Sequence, residues 1–522
     1  MKRRSALRVI GSVPLAALAT SALPACGPTP SSVVTPQATS APQPTSPPKP
    51  TEAPKPTEAP KSAAEPTKPA APAATTAPAA SPTQAASTPK KGGTYIDVSF
   101  GDAVTMQPLL AQDSVSSDRI ALIYAGLLGF NKKLEFEPDL ASSYKVSDDK
   151  LSISFELKDN IFWSDGKPIT VDDVKFSWDK MLDPKTQYPY QSLYESFVGL
   201  EVTGPRTLTF KLKEVFAPAL NYAAGVPIIP KHIYEKLDIN DNPENTKPSV
   251  GSGPFLFKEW VKDSHATFVA NERYHQGRPN LDTVIFRVVK DATVSYAMLK
   301  TGEADSSGIQ PPDYEEAIKS TVFNTYRYYY YAAPWDYIGF NLRNPILADK
   351  RVRQALSMAL DKKKMIERIQ LGFAKPQYSI YPSTSPVFTD DVPKFEFDPA
   401  KAKALLDDAG WKPGADGIRV EDGKRLSLRL HFNAGNKRRE QIATVAQQYW
   451  KDVGVELSVN QEEWGAFLKR VNETRDFDGV VLGWVGGYEP HGQSNIWSTG
   501  MPQNFTGYSN PDIDGLFKKG VS

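Results

Sequence analysis

The stretch RLSLRLHFNAGNKRREQIATVAQQYWKDVGVELSV, residues 425–459, decides the fold class. Leu426, Leu428, Leu430 and Phe432 alternate with other residues, the period of a strand with one buried face. From about Lys437 the period changes. Ile442, Val445, Ala446, Tyr449 and Trp450 fall on one face of a helix, and Gly454 ends it. Val455 to Val459 read as the next strand. A short helix from about Trp464 and a strand from Gly479 to Leu482 follow. Strand, helix, strand, helix and strand with short connections predict a βαβ unit and a largely parallel sheet.

The same grammar extends upstream. Thr283 to Val289 followed by Ala292 to Lys300 is a further strand and helix. Asp398-Pro399 opens a helix carrying Leu405 and Leu406, and Gly410 closes it. Leu151, Ile153, Phe155 and Leu157 alternate, as do Leu208, Phe210 and Leu212, so both are half-buried strands. Between them Ser164-Asp165-Gly166-Lys167 is a turn, and Thr170-Val171-Asp172-Asp173 is a capping box for a helix through Leu182. Tyr328 to Tyr331 read as another strand. The class is α/β, in at least two lobes. More than four hundred residues follow Tyr95, the first aromatic of the chain, which is long for one simple core.

The N-terminal part is different. Lys2, Arg3, Arg4 and Arg8 precede an apolar run from Val9 to Leu23, the proportions of an export signal. Leu23-Pro24-Ala25-Cys26 resembles a bacterial lipobox, in which cleavage leaves the cysteine to carry lipid. Cys26 is the single cysteine of the chain, so it has no intrachain partner. Arg3-Arg4 is also similar to a twin-arginine signal, and both export routes stay open. Residues 1–25 are therefore expected to be a signal peptide, and 26–90 a lipidated cysteine and a disordered tether. Gly27 to Lys90 holds 17 of the 45 prolines and no aromatic residue, too little apolar surface to offset the entropy of ordering. A formal net charge of +1 gives no electrostatic case for nucleic acid or broad membrane adsorption.

Tests for an enzyme return little. His232, His265, His275, His431 and His491 pair at no metal-ligand spacing, and cysteine ligands are absent. There is no G-x-S-x-G elbow and no P-loop. Asn510-x-Asp512-x-Asp514-Gly515 mimics a calcium loop, but Val521 stands where the bidentate glutamate belongs; Asn510-Pro511 reads better as a helix start. No metal and no cofactor is expected.

Several motifs in order carry a resemblance. They are Phe162-Trp163-Ser164-Asp165-Gly166-Lys167-Pro168-Ile169-Thr170-Val171-Asp172-Asp173-Val174, Gly251-Ser252-Gly253-Pro254-Phe255, and Gly302-Glu303-Ala304-Asp305. Phe340-Asn341-Leu342 with Val352-Arg353-Gln354-Ala355-Leu356, Glu463-Trp464-Gly465, and Gly483-Trp484 ahead of Asn504-Phe505-Thr506-Gly507-Tyr508 complete the set. From about Gly92 onward the chain resembles the solute-binding proteins of ABC importers, in the family of dipeptide and oligopeptide binders, solute-binding family 5. The resemblance implies a two-lobed periplasmic-binding-protein-like fold of type II with an extra small domain inserted in the first lobe. The first lobe would span 92–130 and 247–343, the insert 131–246, and the second lobe 344–510. Residues 511–522 would begin a return to the first lobe that looks cut short.

The same resemblance implies a binding protein and not an enzyme. A monomer would close on a ligand, deliver it to a membrane permease with its ATPase subunits, and be held extracytoplasmically by lipid on Cys26. Glu489, in Trp484-Val485-Gly486-Gly487-Tyr488-Glu489-Pro490, is the candidate acceptor of a peptide α-ammonium, where relatives usually carry aspartate. Asn341 falls where relatives pair with an extended peptide. Trp335, Trp464, Trp484, Tyr488 and Trp497 are candidate pocket walls, Trp464 with core packing as its alternative. Dipeptide binders place an arginine before the helix starting near Asn436; Phe432-Asn433-Ala434-Gly435 has none, which argues for longer peptides. An oligosaccharide is the second ligand class, a nickel complex a lesser one, and a secreted hydrolase a remote alternative.

Overall fold

The computed structural model describes residues 90–325, 334–383, 385–485 and 489–522. The export signal, Cys26 and its tether, the strand expected over Tyr328 to Tyr331, and Tyr488 lie outside the described residues.

The deciding stretch folds as its periodicity predicts. Strand Ser427–Asn433 runs parallel to Glu456–Glu462 on one side and to Gly479–Trp484 on the other. Helix Lys437–Asp452 connects the first two, with Asn436 accepting the Arg439 N–H as its cap. Ala443, Ala446 and Trp450 of the helix are buried with Leu428, Leu430 and Phe432 of the strand. Trp450 Nε1 donates to the Leu356 carbonyl at 2.9 Å, which ties this layer to helix Lys350–Met358. Gly435 opens the helix with φ +80°, and a Cβ there would lie 2.3 Å from the Lys290 carbonyl oxygen, so no other residue fits this turn.

The fourth strand of this sheet differs from the expected layout. Trp335–Phe340 falls within the span 247–343 assigned to the first lobe, yet all six of its residues pair antiparallel with Gly479–Trp484. The change of lobe therefore comes before Trp335. A local alternation marks a strand but carries no record of which sheet edge it joins. Here charge contributes to the choice. Asp336 accepts from Arg438 Nε at 2.5 Å and from Arg439 Nε at 3.2 Å, and Arg439 Nη1 also donates to Asn433 Oδ1 at 2.7 Å.

The first lobe has its own sheet. Phe255–Val261, His265–Ala270 and Thr283–Val288 are antiparallel neighbours, and Thr94–Ser99 lies parallel to the last of them. Residues 131–246 hold a third sheet, in the order Ala141–Val146, Ser152–Leu157, Thr207–Leu212 and Phe197–Val202, antiparallel throughout. Helix Val171–Leu182, with the capping box of Thr170 and Asp173, packs Trp178 against Tyr194, Phe197 and Phe210. The core of this insert is continuous with that of the first lobe: Trp163, Trp178 and Phe210 belong to the same buried cluster as Ile123, Phe268 and Phe286.

Replacing Asp336 by Ala leaves two guanidinium groups, one of them buried, without their carboxylate. The expected cost is about 3–5 kcal/mol, read from urea unfolding of the ligand-free protein.

Candidate functional site

The second lobe meets the insert along one segment. Pro490–Gln493 is a single 3-10 turn with proline at its first position, and helix Ser494–Trp497 continues from it. Gln493, Ser494, Asn495 and Ile496 are buried. Asn495 Nδ2 donates to the Pro189 carbonyl at 3.3 Å, and Ser192 Oγ donates to Asn495 Oδ1 at 3.4 Å. Gln503 Nε2 donates to the Tyr190 hydroxyl at 3.1 Å. The His491 ring meets Phe216 and Tyr222 edge-on, with centroids 5.5 and 6.2 Å apart.

Glu489 lies at the head of this segment. The Tyr222 hydroxyl, on helix Ala219–Ala224 of the insert, donates to Glu489 Oε2 at 3.2 Å. Burial pushes the Glu489 carboxyl above the usual carboxylate range, against the pull of the His491 and Gly492 N–H groups and the Tyr222 hydroxyl. Burial, and then the neighbouring Glu489, push the Tyr222 hydroxyl upward. Burial also holds the His491 imidazole below its usual value. Among the described residues Glu489 forms no ion pair with any lysine, arginine or histidine.

The strand pair that precedes this segment carries an aromatic wall. Trp335 and Trp484 are register partners on neighbouring antiparallel strands, so their side chains share one sheet face with Tyr337 and Leu482. Trp497 lies parallel to Trp335 at 6.4 Å, and Phe505 lies nearly parallel to Trp484 at 5.5 Å. Trp497 Nε1 donates to Gln493 Oε1 at 3.0 Å.

The structure brings Trp335, Trp484 and Trp497 together, places Glu489 at the head of the segment that carries Trp497, and sets the other two described candidates apart. Asn341 is 5% exposed, and its amide is fully engaged. Nδ2 donates to the Arg475 and Phe477 carbonyls at 3.0 and 2.9 Å, and Oδ1 accepts from Arg343. It pins the end of its own strand. Trp464 is 7% exposed and crosses to the first lobe: Nε1 donates to Asp113 Oδ1 at 3.4 Å, and the Phe100 ring meets it edge-on at 5.6 Å. Val115 of the first lobe shares a buried cluster with Trp464, Phe467 and Val480, so Trp464 is a packing residue of the seam between lobes. Sequence reasoning missed Tyr222 and Tyr190. Tyr222 is 267 residues from Glu489, and no local pattern announces such a contact. Among the described residues no group of three or more His, Cys, Asp or Glu is placed to hold a metal ion.

Two outcomes test this geometry. Asn341→Ala is expected to destabilise the protein by about 1–3 kcal/mol in urea, through the two carbonyls left without a donor, while leaving ligand affinity at the wild-type value. For Glu489 the sign follows from its raised titration. Ionised in its buried site it costs stability at neutral pH, and protonated it does not. Glu489→Gln is therefore expected to raise the thermal midpoint of the ligand-free protein at pH 7. The gain should shrink toward zero as the pH falls to about 4, the ordinary carboxylate range. Coincident melting curves at pH 7 would refute the burial penalty.

A family model described as bacterial extracellular solute-binding proteins, family 5 Middle, matches residues 135–505. The oligopeptide-binding protein AppA of Bacillus subtilis (strain 168) is 34% identical over 448 residues, covering 83% of this chain and 81% of its own length. The solved structure of Bacillus subtilis AppA in complex with a nonapeptide superposes with a TM-score of 0.79, over 83% of this chain and 88% of that one. The periplasmic murein peptide-binding protein MppA of Escherichia coli (strain K12) is 27% identical, covering 75% of each chain. NikZ from Campylobacter jejuni in complex with Ni(L-His) is 25% identical and superposes with a TM-score of 0.74, over 82% of this chain and 86% of that one. Two α/β lobes with an inserted third sheet, a seam lined by aromatic rings and these matches together place the chain among the bacterial extracellular solute-binding proteins of family 5.

Proposed function

We propose that this protein is the receptor of an ABC importer that captures peptides longer than two residues between its lobes and hands them to a membrane permease. One observation carries the peptide reading: Glu489 is a half-buried carboxylate at the seam with the insert and has no cationic partner among the described residues. Such a group is costly unless something positive arrives. A peptide α-ammonium supplies the charge and the donors, and a neutral sugar supplies only the donors. The names of AppA and MppA support the same ligand class.

The length preference has separate support. The arginines nearest the site on the 437–452 helix, Arg438 and Arg439, are engaged with Asp336 and Asn433. Arg439 is buried against both partners, and Arg438 is drawn to Asp336 through Nε, which argues against a dedicated clamp for a ligand carboxylate close to the ammonium site, as capture of a dipeptide requires. The reading extends to a monomer that binds without turnover, tethered outside the cytoplasm by lipid on Cys26, its proline-rich segment giving the receptor reach to its permease.

The test is calorimetric titration with a synthetic nonapeptide, once with a free amino terminus and once N-acetylated. Glu489→Gln is expected to weaken binding of the free-amine peptide by about ten- to hundredfold, the worth of a charge-assisted hydrogen bond, and to leave the acetylated peptide unaffected. Equal affinity of variant and wild type for the free-amine peptide would defeat the ammonium role.

A further inference from the structure

The indole N–H groups of Trp335 and Trp484 are buried and have no acceptor among the described residues. Elsewhere indoles of this chain are provided for. Trp260 Nε1 donates to Asp102 Oδ1 at 2.8 Å, Trp450 Nε1 to the Leu356 carbonyl at 2.9 Å, and Trp497 Nε1 to Gln493 Oε1 at 3.0 Å. Trp163 also lacks an acceptor, but it is sealed at 0% exposure inside the insert. Trp335 and Trp484 are only half-buried, and Trp335 stacks on Trp497 of the segment that meets the insert. A buried donor without a partner is uncommon and costly, so two side by side require a reason.

Their placement is fixed from three directions. The pair is in register across two antiparallel strands, which sets their Cβ atoms about 5 Å apart on one face. Trp497 lies flat beside Trp335 and Phe505 beside Trp484, so neither ring turns freely. On the opposite face Asp336 is tied to Arg438 and Arg439, and a Cβ at Gly483 would lie 2.6 Å from Asp336 Oδ1 and 3.0 Å from Arg439 Nη2. The strand pair cannot slide or roll to hide its indoles. The Tyr337 hydroxyl lies close enough to the Trp484 indole to feel it as a donor, but the pair makes no hydrogen bond of ordinary geometry.

We infer that Trp335 and Trp484 are ligand-binding donors, and that the groups they receive are carbonyl oxygens of the main chain of an extended peptide. Two fixed donors side by side match a strip of acceptors and repel an amine. This rests on the peptide reading above and divides the labour within it: Glu489 takes the terminal charge, and the indole pair takes the backbone. Main-chain carbonyls are present in every peptide, so the pair contributes affinity without selecting sequence. Because the donors are already desolvated and held, the ligand recovers their hydrogen bonds with little ordering cost.

Nuclear magnetic resonance of the indole ¹⁵N–¹H groups tests this directly, with the wild-type protein and the free-terminus nonapeptide as probe. Trp335→Phe and Trp484→Phe identify the two signals. On saturation both are expected to move downfield as they gain an acceptor, while the Trp450 signal, already bonded to Leu356, stays in place. By calorimetry each Phe variant is expected to lose about five- to thirtyfold in affinity with its ring stacking preserved. Nonapeptide binding with both indole signals unmoved, or wild-type affinity in Trp335→Phe, overturns the indole assignment and leaves the peptide reading standing. A calorimetrically silent wild type overturns the peptide reading and takes this assignment with it.

Discussion

One carboxylate facing two guanidiniums sets the geometry on which the site depends. Asp336 stands between Arg438 and Arg439 on one face of the strand pair Trp335–Phe340 and Gly479–Trp484. Side chains alternate across a strand, so fixing Asp336 to that face commits Trp335, Tyr337 and Trp484 to the other. A one-residue slip would exchange the ionic face for the aromatic one. The register is thus held by a penalty of burying charge as much as by the backbone ladder. The segment from Glu489 to Trp497 begins five residues after the end of this strand.

Side-chain hydrogen bonds cross the seam at several points. Tyr222 to Glu489, Gln503 to Tyr190, Asn495 to Pro189 and Trp464 to Asp113 span 3.1 to 3.4 Å. A receptor that closes and reopens needs a seam that is close to balanced without ligand, so that contacts made by the ligand decide the population. Among the described residues a half-buried carboxylate without a cation and two indoles without acceptors are local costs, and the proposed peptide would remove both.

What was legible in the sequence was what is local. Alternation and helical spacing located the strand, helix and strand over 426–462, and the Thr170 and Asp173 pair located the cap of helix Val171–Leu182. The sheet joined by Trp335–Phe340 was not legible, because its partners lie more than a hundred residues away and the choice turns on Asp336 meeting two arginines. Asn341 and Trp464 share residue types and neighbouring motifs with ligand-binding positions. Only the carbonyls of Arg475 and Phe477, and the carboxylate of Asp113, reveal that one pins a strand end and the other packs a seam. Tyr222 gave no signal at all, since a tyrosine on a short helix of an inserted segment is ordinary until its hydroxyl is found at Glu489.

The insert then takes on more than a decorative place. Its core runs without a break into that of the first lobe, through Trp163 and Trp178 to Phe268 and Phe286. Two bodies sharing one close-packed interior move as one, because sliding them apart would open voids that nothing fills. The insert must therefore travel with the first lobe when the cleft opens. Tyr190, Phe216 and Tyr222 travel with it, and these are the residues that meet the second lobe from Glu489 to Gln503. The jaw opposite Glu489 is accordingly the insert, and the first-lobe sheet serves as the rigid base that swings it.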